Sequence, residues 1–194
     1  MAFFPSNSSF PAILGELYSA AFNAPAFNWI CSPATTELET VMMDWMADLF
    51  TLPECYKSSS EGGGVIQGSA SEAIVTVMIA ARDRYLRDVT KHIVDEQERI
   101  DAFYTRRGKL VALGSTMTHS STQKAAQIAG VRFLAVPALA EHGYRMLGSD
   151  LHDTLEQCRA KGLEPFYLTA TLGQRTLIKA SRIKHITLGQ TEAY

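Results

Sequence analysis

A chain of 194 residues, 46% of them hydrophobic and 20% charged, is long enough for one domain with a core of its own. A net charge of -2 with scattered lysines and arginines excludes the basic footprint of a nucleic-acid binder, and no stretch approaches the ~20 apolar residues of a membrane helix. The three cysteines, Cys31, Cys55 and Cys158, are too few and too far apart for a disulfide framework or a zinc site, so they are expected as reduced, buried thiols of a cytoplasmic protein.

The opening "MAFFPSNSSF" lacks the basic start and apolar run of a signal peptide, and it offers aromatic and turn-forming residues without a capped helix or a strand. From Thr36 the pattern turns helical. Leu38, Val41, Met42, Trp45, Leu49 and Phe50 fall on one face, Thr36 and Glu39 make a T-x-x-E capping box, and Pro53 marks the end. Residues 57–64, "KSSSEGGG", read as a loop, and Val65-Ile66 as a short strand or an extended lead into the next helix. Ser69 and Glu72 form a second box, S-x-x-E, ahead of "AIVTVMIAARDRYL". The early turns of that segment are apolar almost all round, which predicts a helix that starts in the interior and runs outward.

Residues 87–108 read as an exposed polar helix with its connections. A regular alternation follows: strand Leu110–Gly114, helix Ser121–Ala129 closed by Gly130, strand Val131–Val136, helix Ser149–Lys161 closed by Gly162, and strand Phe166–Thr171. Strand and helix in turn predict an α/β fold with a parallel sheet, helices on its faces and ligand-holding loops at the strand ends.

The loop "EGGGVIQGSASEA", residues 61–73, leads small residues into a capped helix start, where free backbone N–H groups and the helix dipole suit a phosphate. Close packing against the chain itself is the competing reason for such glycines. Neither G-x-x-x-x-G-K-[ST] nor G-x-G-x-x-G is present, and "GSASE" is not a hydrolase elbow. His119, in "TMTHSST" after the strand at Leu110–Gly114, falls at a strand-to-helix turn on the ligand side of the sheet; it suits either a helix cap or a ligand contact. His92, His142 and His152 lie in polar stretches at spacings unsuited to a metal and are expected at the surface.

Five stretches, "FFPSNSSFPA", "NWICSPATTELETVMMDWMADL", "GGGVIQGSASEA", "THSS" and "PFYLTATLG", carry a resemblance over about residues 2–173. In order and separation they resemble the group II pyridoxal-phosphate decarboxylases, especially the aromatic-L-amino-acid (tyrosine, DOPA, tryptophan) decarboxylases. The resemblance implies a type I, aspartate aminotransferase-like large domain, pyridoxal 5'-phosphate as cofactor, an aromatic L-amino acid as substrate and an intertwined homodimer. It also implies site residues. The cofactor phosphate would sit at Ser69, Ala70 and Ser71, with His119 stacked on the pyridine ring and touching the substrate. Ser6 would lie near the substrate carboxylate, with Phe3, Phe4 and, from the partner subunit, Phe27 as the aromatic wall.

Past Gly173 the resemblance stops. The family's H-x-D-A-A, which brings the acid for the pyridine nitrogen, and its N-P-H-K-W, which brings the Schiff-base lysine, have no counterpart in "QRTLIKASRIKHITLGQTEAY". The family threonine that touches the cofactor falls at Gln174, and Lys184-His185 reverses the family's His-Lys order; Lys179 lies in the same unmatched tail. Residues 1–173 are therefore expected to be a large domain cut at both ends, 174–194 an unmatched tail, and the chain inactive on its own. Two alternatives stand beside this: a regulatory or dimerisation partner of a full-length decarboxylase, as homodimer or heterodimer, and a decayed or misread gene product.

Overall fold

A computed structural model describes residues 8–171, which divide into two compact units at Ile66/Gln67. Among the described residues the first unit holds two α-helices, a short 3-10 turn at Glu54–Tyr56 and the glycine loop as far as Ile66. Helix α1, Phe10–Phe22, was not expected from the sequence: Ser9 caps it by accepting the Ala12 N–H at 3.3 Å, Pro11 sits in its first turn, and Asn23 ends it in the left-handed conformation with φ 43°. The cap signal lies inside "SNSSFPA", among residues that also suit a turn, and so was hidden by them.

Helix α2, Pro33–Leu49, starts four residues earlier than the T-x-x-E reading placed it. Ser32 is its cap residue, with a hydroxyl 2.7 Å from that of Thr35, while Thr36 is already inside the helix and bonds backward. Glu39 is free of any capping box; its carboxylate instead accepts the Ile66 N–H at 2.6 Å. Asp44, one turn on, accepts both the N–H and the hydroxyl of Ser58 at 2.9 and 2.5 Å. The loop of residues 57–66 is thereby laid along α2, and no strand forms at Val65-Ile66.

The second unit is the α/β part. Helix α3 runs Ala70–Thr90, α4 Glu96–Arg107, β1 Leu110–Ser115, α5 Ser120–Ala129, β2 Arg132–Val136, α6 Gly148–Ala160 and β3 Glu164–Thr169. The three strands are parallel in the order β2-β1-β3. The alternation read from the sequence is therefore present, with β3 beginning two residues earlier than expected. Its register slips where Val111 faces Pro165 and Ala112 faces Tyr167, leaving Phe166 over as a bulge beside a residue that has no N–H to give.

Strand β1 is buried on both sides and shows why a parallel strand reads as a continuous apolar run. Ala112 packs with Met78 of α3 and Ala125, Ala126 and Ala129 of α5, while Val111 and Leu113 pack with Val136 and Cys158 on the other face. Small alanines let α5 lie close on the sheet. Gly114 does the same at the strand end, where a Cβ would come within 3.2–3.3 Å of Thr118 and Phe133. The chain builds β2 on one side of β1, then returns to place β3 on the other. This reversal carries α6 to the opposite face from α5, as right-handed crossovers require.

Four expectations are corrected. Helix α3 does not begin in the interior: its first turn is exposed, and its fully buried positions, Met78, Leu86 and Thr90, lie in its middle and end, where it meets α5, α4 and β3. The thiols are not all buried, since Cys31 and Cys55 are exposed and only Cys158 is interior. His92 and His152 are exposed as expected, but His142 is half-buried, and its Nδ1 is enclosed without a partner among the described residues. The opening stretch, expected to carry no capped helix, ends in the cap and first residue of α1.

Candidate functional site

The glycine loop answers first to its own unit. A Cβ on Gly62 would strike the carbonyl of Cys55, and one on Gly64 would stand 2.8 Å from the Cβ of Met43 on α2. Close packing thus accounts for these two glycines, and the anion-binding reading narrows to the helix start that follows them.

The serine half of the second capping box forms at that start, while the Glu72 carboxylate makes no bond back to the Ser69 N–H among the described residues. Ser69 has extended backbone and accepts the Glu72 N–H at 3.2 Å through its hydroxyl and the Ala73 N–H at 3.0 Å through its carbonyl. The amides of Ala70 and Ser71 are left with no protein partner among the described residues, at the positive end of a 21-residue helix. Glu72 folds back over Gly68, where a Cβ would lie 2.7 Å from its carboxylate. Two free amides with a flanking serine hydroxyl form a donor set that fits a phosphate.

A second helix start lies alongside. His119 is the cap residue of α5, its Nδ1 accepting the Ser121 N–H at 3.2 Å and standing 2.9 Å from the Ser121 hydroxyl. The capping role and the strand-to-helix position weighed for this histidine are both realised. A hollow of about 430 Å³ joins the two starts, lined by Ser71, Glu72 and Val75 of α3 and by Ser121, Lys124 and Ala125 of α5. Deeper in, the buried Thr122 brings its hydroxyl to within 3.5 Å of that of Thr169 at the end of β3. All of this sits at the carboxyl ends of β1 and β3, where the strand order reverses, the place at which open α/β sheets hold ligands.

The sequence missed Lys124 and Ser121. Lys124 falls five positions after His119 on α5, a spacing that carries it round the helix toward α3, which nothing in the sequence says is adjacent. Phe27 lies in the first unit, exposed in the turn between α1 and α2. Phe3, Phe4, Ser6, Gln174, Lys179 and Lys184 lie outside the described residues. A larger hollow of about 560 Å³, between the end of α3 and α4, is lined by Arg87, Lys91, Arg99 and Tyr104 and contains none of the residues expected to hold the cofactor.

The family model described as the pyridoxal-dependent decarboxylase conserved domain matches residues 1–187. The chain belongs to the pyridoxal-dependent decarboxylase family. Its match to the family model runs past Gly173, where the quoted motifs end. The chain is 44% identical over 175 residues to an aromatic-L-amino-acid decarboxylase of Bos taurus, covering 89% of this chain and 34% of that protein. It is 42% identical over 175 residues to tyrosine decarboxylase 2 of Narcissus pseudonarcissus, covering 89% and 32%. Among solved structures it is similar to Catharanthus roseus tryptophan decarboxylase in complex with L-tryptophan, with a TM-score of 0.75, 38% identity, and 89% of this chain and 35% of that one covered. The chain thus spans about a third of the length of the decarboxylases it matches. The fold they share is that of the sheet and helices described above, a partial α/β domain of the pyridoxal-phosphate enzymes.

Proposed function

We propose that this polypeptide is the cofactor-anchoring segment of an aromatic-L-amino-acid decarboxylase, and that the 194-residue chain alone forms no amine. The observation that carries the reading is the pair of helix starts whose Ser71 and Ser121 line one hollow: free amides at Ala70 and Ser71 for an anion at one start, and the His119 imidazole capping the other. Pyridoxal phosphate, when bound, supplies an electron-withdrawing ring that accepts the electron pair left by departing carbon dioxide. Ser69 fixes the helix start; Ala70 and Ser71 would hold the phosphate, and His119 would cover the ring and contact the substrate. As the resemblance implies, Ser6, Phe3, Phe4 and, from the partner subunit, Phe27 would form the substrate side. The 194 residues contain neither H-x-D-A-A nor N-P-H-K-W, so neither the acid for the ring nitrogen nor the amine that would hold the cofactor's aldehyde is in its family context. The setting is cytoplasmic.

The test uses the purified chain with pyridoxal phosphate and, separately, L-tyrosine, L-DOPA and L-tryptophan. NMR amide shifts at Ala70 and Ser71 on adding cofactor, with no amine above a blank, are the expected result. Amine formation would overturn the claim of inactivity, and unmoved amides at both residues would overturn the anchor.

A second reading is favoured by one observation in the first unit. Helix α1 has no buried residue, with Phe10 and Phe22 exposed at 85% and 79%, and α2 exposes Leu38, Trp45 and Leu49. Surfaces of this kind suit a partner subunit. As a dimerisation or regulatory partner the chain would co-purify with a full-length decarboxylase; a monomer at every concentration tried, with or without that enzyme, would rule this out.

A further inference from the structure

The bond that makes His119 a helix cap also decides where its proton sits. Two groups of Ser121 approach the imidazole Nδ1, the hydroxyl at 2.9 Å and the backbone nitrogen at 3.2 Å. A hydroxyl can turn to donate or accept, whereas a backbone N–H can only donate. Were Nδ1 protonated, two N–H groups would face each other across 3.2 Å. Nδ1 therefore carries the lone pair, and in the neutral imidazole the proton is on Nε2. The Ser121 hydroxyl then turns its own proton to the same lone pair. Nε2 has no hydrogen-bond partner among the described residues, and His119 is exposed, so this N–H is free to meet a ligand.

We infer that Ser121 is a positioning residue that holds His119 as the Nε2–H tautomer, so that the ring offers a ligand a hydrogen-bond donor and not a base. The ligand atom that fits is an anionic or carbonyl oxygen, such as a substrate carboxylate. The ligand rests on the site reading proposed above; the tautomer does not, since it follows from two contacts within α5.

Long-range nitrogen–proton NMR correlations on the isotope-labelled, cofactor-free chain distinguish the two tautomers, with a His119→Asn variant assigning the ring signals. The expected pattern is Nε2–H as the major form. Ser121→Pro, in the first turn of α5 where a proline is tolerated, removes the backbone donor and should lower the Nε2–H to Nδ1–H ratio about two- to tenfold, the factor that one neutral hydrogen bond supplies. Ser121→Ala keeps that donor and loses only a hydroxyl that can bond either tautomer, so it should leave Nε2–H the major form, which a general disturbance of the helix start would not do. A dominant Nδ1–H form in the unaltered chain, or an unchanged ratio in Ser121→Pro, would overturn the assignment. No cofactor is present, so a failure to bind pyridoxal phosphate would defeat the functional reading and leave this one standing.

Discussion

Arg82, in the middle of α3, donates from Nη1 to the carbonyl of Ala129, the last residue of α5, at 2.5 Å. Its Nε is paired with Asp83 at 2.7 Å, and the side chain is only 15% exposed. A cation here meets the negative end of the α5 dipole while its stem lies in the seam between two helices.

Arg82→Ala should therefore lower stability by about 1.5–3 kcal/mol, the range for a hydrogen bond from a charged donor. Urea unfolding followed by far-UV circular dichroism measures it. Arg82→Lys keeps charge without the fork and should fall between the two; an alanine variant as stable as the parent would show the contact to be idle.

The glycine loop makes a prediction about space. Gly62→Ala forces a methyl group against the Cys55 carbonyl and should cost about 1–3 kcal/mol, the usual range for overpacking, with faster proteolysis in residues 57–66. Gly148→Ala, at the first position of α6 with nothing near its missing Cβ, should change stability by less than about 1 kcal/mol. Equal effects at the two positions would contradict the packing argument.

Tyr85 supplies a pH test. Its hydroxyl donates to Glu164 at 3.1 Å, and burial first, then the Glu164 charge and that hydrogen bond, push its pKa up to about 12, with Arg106 opposing. The folded state thus holds the phenol proton more tightly than the unfolded chain, whose tyrosine titrates near 10. Its stabilising share is complete below pH 10 and is lost as pH rises from 10 through 12. Tyrosinate absorbance should show one of the seven tyrosines titrating late, and Tyr85→Phe should remove that late step.

Thiol chemistry separates the cysteines. Cys31 and Cys55 are exposed and should react with a disulfide reagent in the folded chain, whereas Cys158 is enclosed in the core face of α6. Burial also pushes the Cys158 thiol pKa up, against a smaller opposing effect of Lys161, which keeps it protonated. Two thiols should be modified rapidly and the third only on unfolding, as read by mass spectrometry of timed samples.

What the sequence made legible follows the range of the forces involved. The alternation from Leu110 onward could be read because each strand is a continuous apolar run and each helix closes on a glycine; Gly130 adopts the left-handed cap with φ 67°. Ser69 could be read because a capping bond spans three residues. The T-x-x-E box at Thr36 failed because an equally good donor, the Ile66 N–H, reached Glu39 from 27 positions away. The glycines at 62 and 64 left a ligand and close packing both open, since the sequence does not reveal that Cys55 and Met43 occupy the space beside them. Lys124 was overlooked for the same reason: its neighbours on α3 are distant in the chain.

The position of β1 in the middle of the sheet has a consequence for how the protein is made. Synthesis delivers β1 first, then β2 to one flank, then β3 to the other. Each newly emerged strand finds a free edge of the growing sheet, so assembly on the ribosome can proceed outward from the centre without parting a pair already zipped.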